Sequence, residues 1–375
     1  MNSITNAIPN ASSIFMGVPH SSQAAEERLL RTSSASSLVR KILVTSGYKR
    51  PKKISMFRTL IYTVTLSCGV FSAAEARELK LGYSLGPNSH YGESAHVIAD
   101  KLETLSGGTW TIMEYPANAL GGEREMIEGA QIGSVDMVIS STGPVGNFIP
   151  EVQITDIPFL FKGYEHAHAV LDGPIGQKIL EKFPQHGLKA LAWGENGFRN
   201  LTNSVRPVRT PEDAKGLKIR TMENKVHITA FRAMGVLPTP MAFPELLTAL
   251  QQGTVDGQEN PIGVIVSANL SQIQEHLSLT QHVYSPALII MSLSIWDELN
   301  DEEKGWFEQA AKAGAQAMRT KAEADAASGV AELKKQGMQV VENVDQAAFI
   351  KALEPAYTTY ANKFGKDNID AIRNF

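Results

Sequence analysis

Of its 375 residues this chain spends only one on cysteine, Cys68. That excludes a disulfide framework, a Cys-x-x-Cys redox pair and a thiolate metal site. Charge of one sign is equally scarce, with 35 Lys and Arg against 39 Asp and Glu for a formal net charge of −4. A chain so balanced, with no basic patch in its body, has no means of binding nucleic acid by neutralising phosphates. Long hydrophobic runs are missing too, and the stretch from Leu60 to Phe71 is too short to cross a membrane as a helix. No His-Glu-x-x-His, phosphate-binding glycine loop or dinucleotide glycine fingerprint occurs, so metal, nucleotide and hydride chemistry have no basis in the sequence and no cofactor is implied.

What the chain does have is enough apolar residue, 43%, and enough length for one large or two medium domains with a real core. Near its start a basic cluster (Lys49, Arg50, Lys52, Lys53, Arg58) precedes the apolar run Leu60 to Phe71 and the small residues Ala74 and Ala76. This is the three-part form of a secretory signal peptide. Met56 stands where such a peptide should begin, so residues 1–55, serine-rich and without periodicity, are expected to be a disordered leader or a mis-assigned start. Residues 56–76 are then the signal peptide, cleaved near Ala76, and the mature protein is exported. The removed part holds nine Lys or Arg and three Asp or Glu, which leaves the mature chain at −4 minus +6, or −10. Cys68 falls inside the removed part. It is a poor lipid-attachment site, because Thr65 stands where that pattern wants leucine.

Leu79, Leu81 and Tyr83 alternate as in a half-buried strand, and Ala95, Ile98, Ala99, Leu102 and Leu105 recur at helical spacing until Gly107 and Gly108. Short apolar runs (111–113, 137–139, 188–193, 217–219) then alternate with helical segments (125–132, 165–171, 226–234). That alternation predicts an α/β fold with mainly parallel sheets. Asn300 with Glu303 three residues on predicts a helix start, followed by an alanine-rich run without proline to Gly337. A helix of about 36 residues spans roughly 54 Å, longer than one domain is wide.

Gly82-Tyr83-Ser84-Leu85-Gly86 fits the nucleophile elbow of serine hydrolases, but Pro87, Asn88 and Ser89 extend a loop where the elbow needs a helix to start. A hydrolase would also need a His and an acid converging on Ser84. His166 and His168, two apart, would point to different faces of a helix and cannot share a metal; they read as surface histidines.

The most specific stretch runs from Leu246 to Pro261. An apolar helical run is stopped at Gly253, and Gln258, Glu259 and Asn260 crowd before a proline that can open another helix, as in a turn presenting polar side chains. Together with Phe198-Arg199-Asn200, Gly216-Leu217-Lys218-Ile219-Arg220 and Pro240-Met241-Ala242-Phe243, it closely resembles the DctP-type solute-binding receptors of TRAP transporters. The resemblance covers essentially all of residues 77–375. It implies a two-lobe periplasmic clamshell with a long helix bracing both lobes: lobe I from 77–196 plus about 286–325, lobe II from 197–285 plus about 326–375.

It also implies a receptor, not an enzyme, that passes a small organic acid to membrane permease subunits. A monomer is the expected state, with a dimer as the alternative. By residues alone Arg220, ending an apolar strand-like run, reads either as a cation aimed into a cleft or as a surface arginine paired with Glu223. The resemblance makes it the anchor of the ligand carboxylate, which its forked guanidinium matches. By the same match Arg199 is a second arginine near that carboxylate, Asn260 holds it through its side-chain amide, and Phe243 packs against the ligand body. The loop Asn88-Ser89-His90 supplies polar contacts from the first lobe. Receptors of this family that bind sialic acid carry acidic residues where this chain has Gly122 and Ser141. Ser141 is thereby a ligand-lining position, and a sugar acid, hydroxy acid or dicarboxylate fits better than sialic acid. The rival readings are an ABC-type binding protein, which lacks the Gly-Gln-Glu-Asn-Pro segment and the long helix, and a secreted hydrolase using Ser84.

Overall fold

The computed structural model describes residues 76–375, so the expectations for the leader and signal peptide lie outside the described residues. Nine strands join in one sheet: β1 (Arg77–Tyr83), β2 (Trp110–Tyr115), β3 (Met137–Ser141), β4 (Leu188–Asn203), β5 (Lys218–Thr221), β6 (Leu237–Pro240), β7 (Gly257–Pro261), β8 (His276–Ser292) and β9 (Gln339–Val341). Their order is β2-β1-β3-β8-β4-β7-β5-β6, with β9 on β8. Six helices frame the argument: α1 (His90–Ser106), α2 (Glu123–Ile132), α3 (Lys225–Ala233), α4 (Phe243–Gln251), α5 (Ile262–Ser267) and α6 (Asp301–Lys335).

The alternation read from the sequence gives two parallel wings, β2-β1-β3 and β7-β5-β6. Between them lies what periodicity did not reveal. β4 and β8 run antiparallel for nearly their whole length, β3 pairs with the last part of β8 (Ala287–Met291), and β7 pairs with the last part of β4 (Arg199–Asn203). The run 188–193 is thus only the first third of a strand that continues to Asn203, so the expectation of mainly parallel sheets holds for the wings and fails for their connection. The β4/β8 register slips between Ala190 and Ala192, between Glu195 and Gly197, and between Arg199 and Leu201. At the second slip Gly197 has φ +114°, a conformation closed to residues with a Cβ.

The long helix is present as expected. Asn300 caps α6, its side chain accepting from the amides of Glu302 and Glu303, while Glu303 reaches back to the amide of Asn300. Its 35 residues extend roughly 52 Å. Its first half (Phe307, Ala311, Ala315, Met318) is buried with Leu79, Ile98 and Trp110 of the β1–β3 wing. Its end (Leu333) is buried with Leu246, Ile262 and Leu277 near the other wing. Burying each such Leu, Ile or Phe contributes about 1.5–3 kcal/mol, so one helix draws stability from both ends of the molecule and braces them. Midway, Arg319 donates two hydrogen bonds to Asp172 (2.7 and 2.8 Å) and one to the Trp193 carbonyl (3.1 Å), which pins the helix to β4. The result is the two-lobe α/β fold.

Two local expectations are corrected. Gly257–Pro261 is no turn: it is β7, with all five residues buried, Gln258 and Glu259 meeting Thr202 and Arg199 of β4 and Asn260 meeting Gln258. His166 and His168 are not surface histidines. Both are half-buried; His166 meets the Ile372 carbonyl at 2.9 Å, and His168 pairs at 2.7 Å with Glu195, a fully buried carboxylate of β4 that also accepts from the Tyr284 hydroxyl.

Candidate functional site

At the end of β5 the alternation of the strand turns Arg220 inward, and its side chain is 2% exposed. Nε and Nη2 both donate to the Met241 carbonyl, at 3.1 and 2.8 Å, which fixes the plane of the guanidinium. Among the described residues no carboxylate pairs with it, and Nη1 donates to no protein group. Burial, then repulsion from Arg199, lowers its pKa to about 10, so it stays charged at neutral pH. A buried, charged guanidinium without a counter-ion is costly unless something else supplies the anion.

Arg220 lines a small, partly open cavity. One side comes from Ser84 and Leu85 after β1, Tyr91 of α1, Glu123 of α2 and Ser141 of β3. The other comes from Met222, Phe243 of α4, Asn260 of β7 and Val264 of α5, with Asn196 of β4 between them. Of the residues expected from sequence, the structure therefore brings Arg220, Phe243, Asn260 and Ser141 together. Phe243 sits with its ring centre 5.9 Å from the Arg220 guanidinium carbon. Asn260 donates to the Gln258 side chain at 2.5 Å, part of a relay through Thr202 to Gln274 that holds its amide.

Arg199 lies deeper, fully buried against Glu259 of β7. Nε and Nη2 donate to the two carboxylate oxygens at 2.5 and 2.8 Å, and Nη2 donates also to the Glu259 carbonyl at 2.5 Å. His282 adds a contact to the same carboxylate at 3.2 Å. Burial alone would push Glu259 up, but the Arg199 charge and these hydrogen bonds outweigh it and hold the carboxyl well below its usual range. Nη1 of Arg199 is buried and has no partner.

The first-lobe loop is placed differently from the expectation. Ser89 is the N-cap of α1, accepting from the Gly92 amide, and His90 is already helical. His90 stands behind the cavity wall: its Nε2 meets Asn196 at 3.2 Å, and burial lowers its pKa to about 4, so the ring is neutral. Asn88 is exposed and borders a separate cavity with Lys321 and Asp325 of α6. Ser84 does line the site, but the hydrogen bonds of His90 go to Asn196 and no described His–acid pair converges on that hydroxyl.

Sequence reasoning missed Tyr91, Asn196, Met222 and above all Glu123. Glu123 opens α2, where an acid reads simply as a favourable charge at a helix N-terminus. In the fold its Oε1 accepts from Ser140 Oγ (2.9 Å), the Ser141 amide (3.1 Å) and Ser141 Oγ (3.5 Å). Burial raises its pKa against the pull of those hydrogen bonds and of the two arginines.

Comparison with known proteins gives the family and the fold. The description "Bacterial extracellular solute-binding protein, family 7" matches residues 81–363. A solute-binding protein of Verminephrobacter eiseniae is 47% identical over 87% of this chain and 97% of its own length. Two solved TRAP periplasmic solute-binding proteins superpose closely. One, from Bordetella bronchispeptica with density interpreted as pantoate, is 57% identical with a TM-score of 0.78, covering 80% of this chain and 99% of the other. The second, from Polaromonas sp. JS666 bound to D-erythronate, is 55% identical with a TM-score of 0.79, covering 80% and 98%. The chain thus belongs to the DctP-type solute-binding proteins of TRAP transporters, bacterial extracellular solute-binding protein family 7.

Proposed function

We propose that the protein captures a small organic acid in a cleft between its two lobes and hands it to the permease subunits of a TRAP transporter. It acts as a receptor and performs no chemistry on its ligand. The observation that carries this reading is the buried Arg220 guanidinium on the cavity wall, whose Nη1 donates to no described residue. An uncommitted cationic donor on the wall of this cavity calls for a carboxylate, and Asn260 and Phe243 border the position it would take. Relatives with bound D-erythronate and with density interpreted as pantoate support an acid of that size.

On this reading the lobes are 77–196 with about 286–325, and 197–285 with about 326–375. β4 and β8 are the segments on which they would move apart, with the register slip at Glu195 and Gly197 as the point of bending. Met222 lies against Ser141 (Sδ to Oγ 3.4 Å) and against Gly143, where an added Cβ would come within 2.6 Å of Sδ, so these walls meet closely when the cleft is shut. Residues 56–76 direct export to the periplasm, and N-terminal sequencing of periplasmic protein should find the mature end near Ala76.

Mass spectrometry of the molecule released when purified protein is denatured tests the ligand class directly, and a carboxylic acid is expected. A melting panel adds an independent measure, because a ligand bound by the native state alone stabilises it by roughly 2.7 kcal/mol at a hundredfold excess over Kd. Carboxylates should shift the melting point and matching neutral sugars should not. A neutral sugar that shifts it where no carboxylate does would overturn the reading.

A further inference from the structure

The cavity holds a second charge of opposite sign. Glu123, half-buried, lines the same cavity as Arg220, yet no ion pair joins them among the described residues, and the three protein donors to Glu123 all converge on Oε1. Oε2 takes no hydrogen bond from any described residue. The binding cavity therefore presents an uncommitted cationic donor at Arg220 and an uncommitted anionic acceptor at Glu123. We infer that Glu123 is the specificity-determining residue of the site: its Oε2 accepts a ligand hydroxyl, so the protein selects hydroxylated monocarboxylates and rejects dicarboxylates.

This selectivity rests on the carboxylate reading of Arg220 and adds a demand at the ligand's other end. A ligand with a carboxylate at one end and hydroxyls along its chain satisfies both open groups at once. An unhydroxylated acid closing over the cavity leaves Oε2 with no donor, an omission that polar sites penalise. A second carboxylate is worse, since it sets like charges against each other in a medium that screens them poorly. Ser140 and Ser141 hold Glu123 in place through Oε1, so it cannot easily swing away to relieve that contact.

Calorimetry on the mature protein with D-erythronate, butyrate and succinate tests this. The wild type should bind D-erythronate at least tenfold tighter than butyrate and tighter still than succinate. In Glu123→Gln the amide nitrogen can donate to an acid, so the preference for D-erythronate over succinate should fall at least tenfold. The wild-type panel stands without the variant, should the variant fold poorly. Succinate binding the wild type as tightly as D-erythronate would overturn the assignment of Glu123 while leaving the carboxylate anchor intact. An unchanged preference in folded Glu123→Gln would do the same. If no carboxylate binds the wild type at all, the carboxylate reading itself fails and this inference with it.

Discussion

Two arginines, two strands apart in the sheet and both almost fully buried, live in opposite circumstances. Arg199 on β4 faces Glu259 on β7 and commits Nε and Nη2 to that carboxylate and its backbone carbonyl, with His282 completing the cluster. Arg220 on β5 donates only to a neutral carbonyl and forms no ion pair with a described carboxylate. One guanidinium is thus paired from within, and on the proposed function the other is paired by the ligand. The lesson is that residue type and burial do not separate a structural cation from a binding one; what separates them is where the counter-charge comes from.

The sharpest way to break the contrast is to unpair the satisfied member. Arg199→Ala leaves Glu259 buried without its main partner and should cost about 3–5 kcal/mol of stability, read by urea or thermal unfolding. Glu259 also sets a pH signature. Its native pKa lies below the unfolded value of about 4.3, so its stabilisation is present in full above that value and is lost as pH falls through the native one. Glu259→Gln should remove that part of the acid-side decline. Replacing both residues together by Met and Leu should cost far less than either single truncation, because no charge is left stranded. Equal losses in the double and single variants would mean that the pair does more than balance itself.

Treating Arg220 the same way should give the reverse result. Arg220→Ala removes a buried charge that forms no ion pair with a described carboxylate, so unliganded stability should hold or rise slightly. Affinity for the acid should fall by roughly 3 kcal/mol, above a hundredfold in Kd. Arg220→Lys should recover only part of it, since an ammonium cannot keep the Met241 carbonyl and present a planar fork as well. Near-normal affinity in Arg220→Ala by calorimetry would sink the anchor.

The same contrast explains what the sequence could and could not disclose. β1, α1 and α6 were legible because their apolar spacing and caps are local: Leu79, Leu81 and Tyr83 alternate, and Asn300 with Glu303 announces a helix start. β7 read as a turn because Gln258, Glu259 and Asn260 look solvated when Thr202 and Arg199, some sixty positions away, are out of view. Glu123 escaped notice for the same reason, since its partner Ser141 and its companion Arg220 are brought to it only by the sheet order. Arg220, Phe243, Asn260 and Ser141 were expected at one site and do border one cavity. Asn88 borders another, because Ser89 caps α1 so early that the loop ends before reaching the site.

The mildest perturbation bears on Phe243, which opens α4 and stacks near Arg220 at 5.9 Å. At this distance a ring and a partly desolvated guanidinium attract by roughly 0.5–1 kcal/mol, an interaction that Arg199, already neutralised by Glu259, does not need. Phe243→Leu keeps an apolar side chain at the cavity wall but removes the electron-rich face that helps hold Arg220 while no ligand is present. Affinity should therefore drop only about two- to fivefold, while the unliganded melting point falls slightly. Combined with Arg220→Ala, the same substitution should have almost no further effect on either quantity, since the cation it serves is gone. If Phe243→Leu weakens binding equally in both backgrounds, as a double-mutant cycle by calorimetry would reveal, the ring acts on the ligand body directly and not through Arg220.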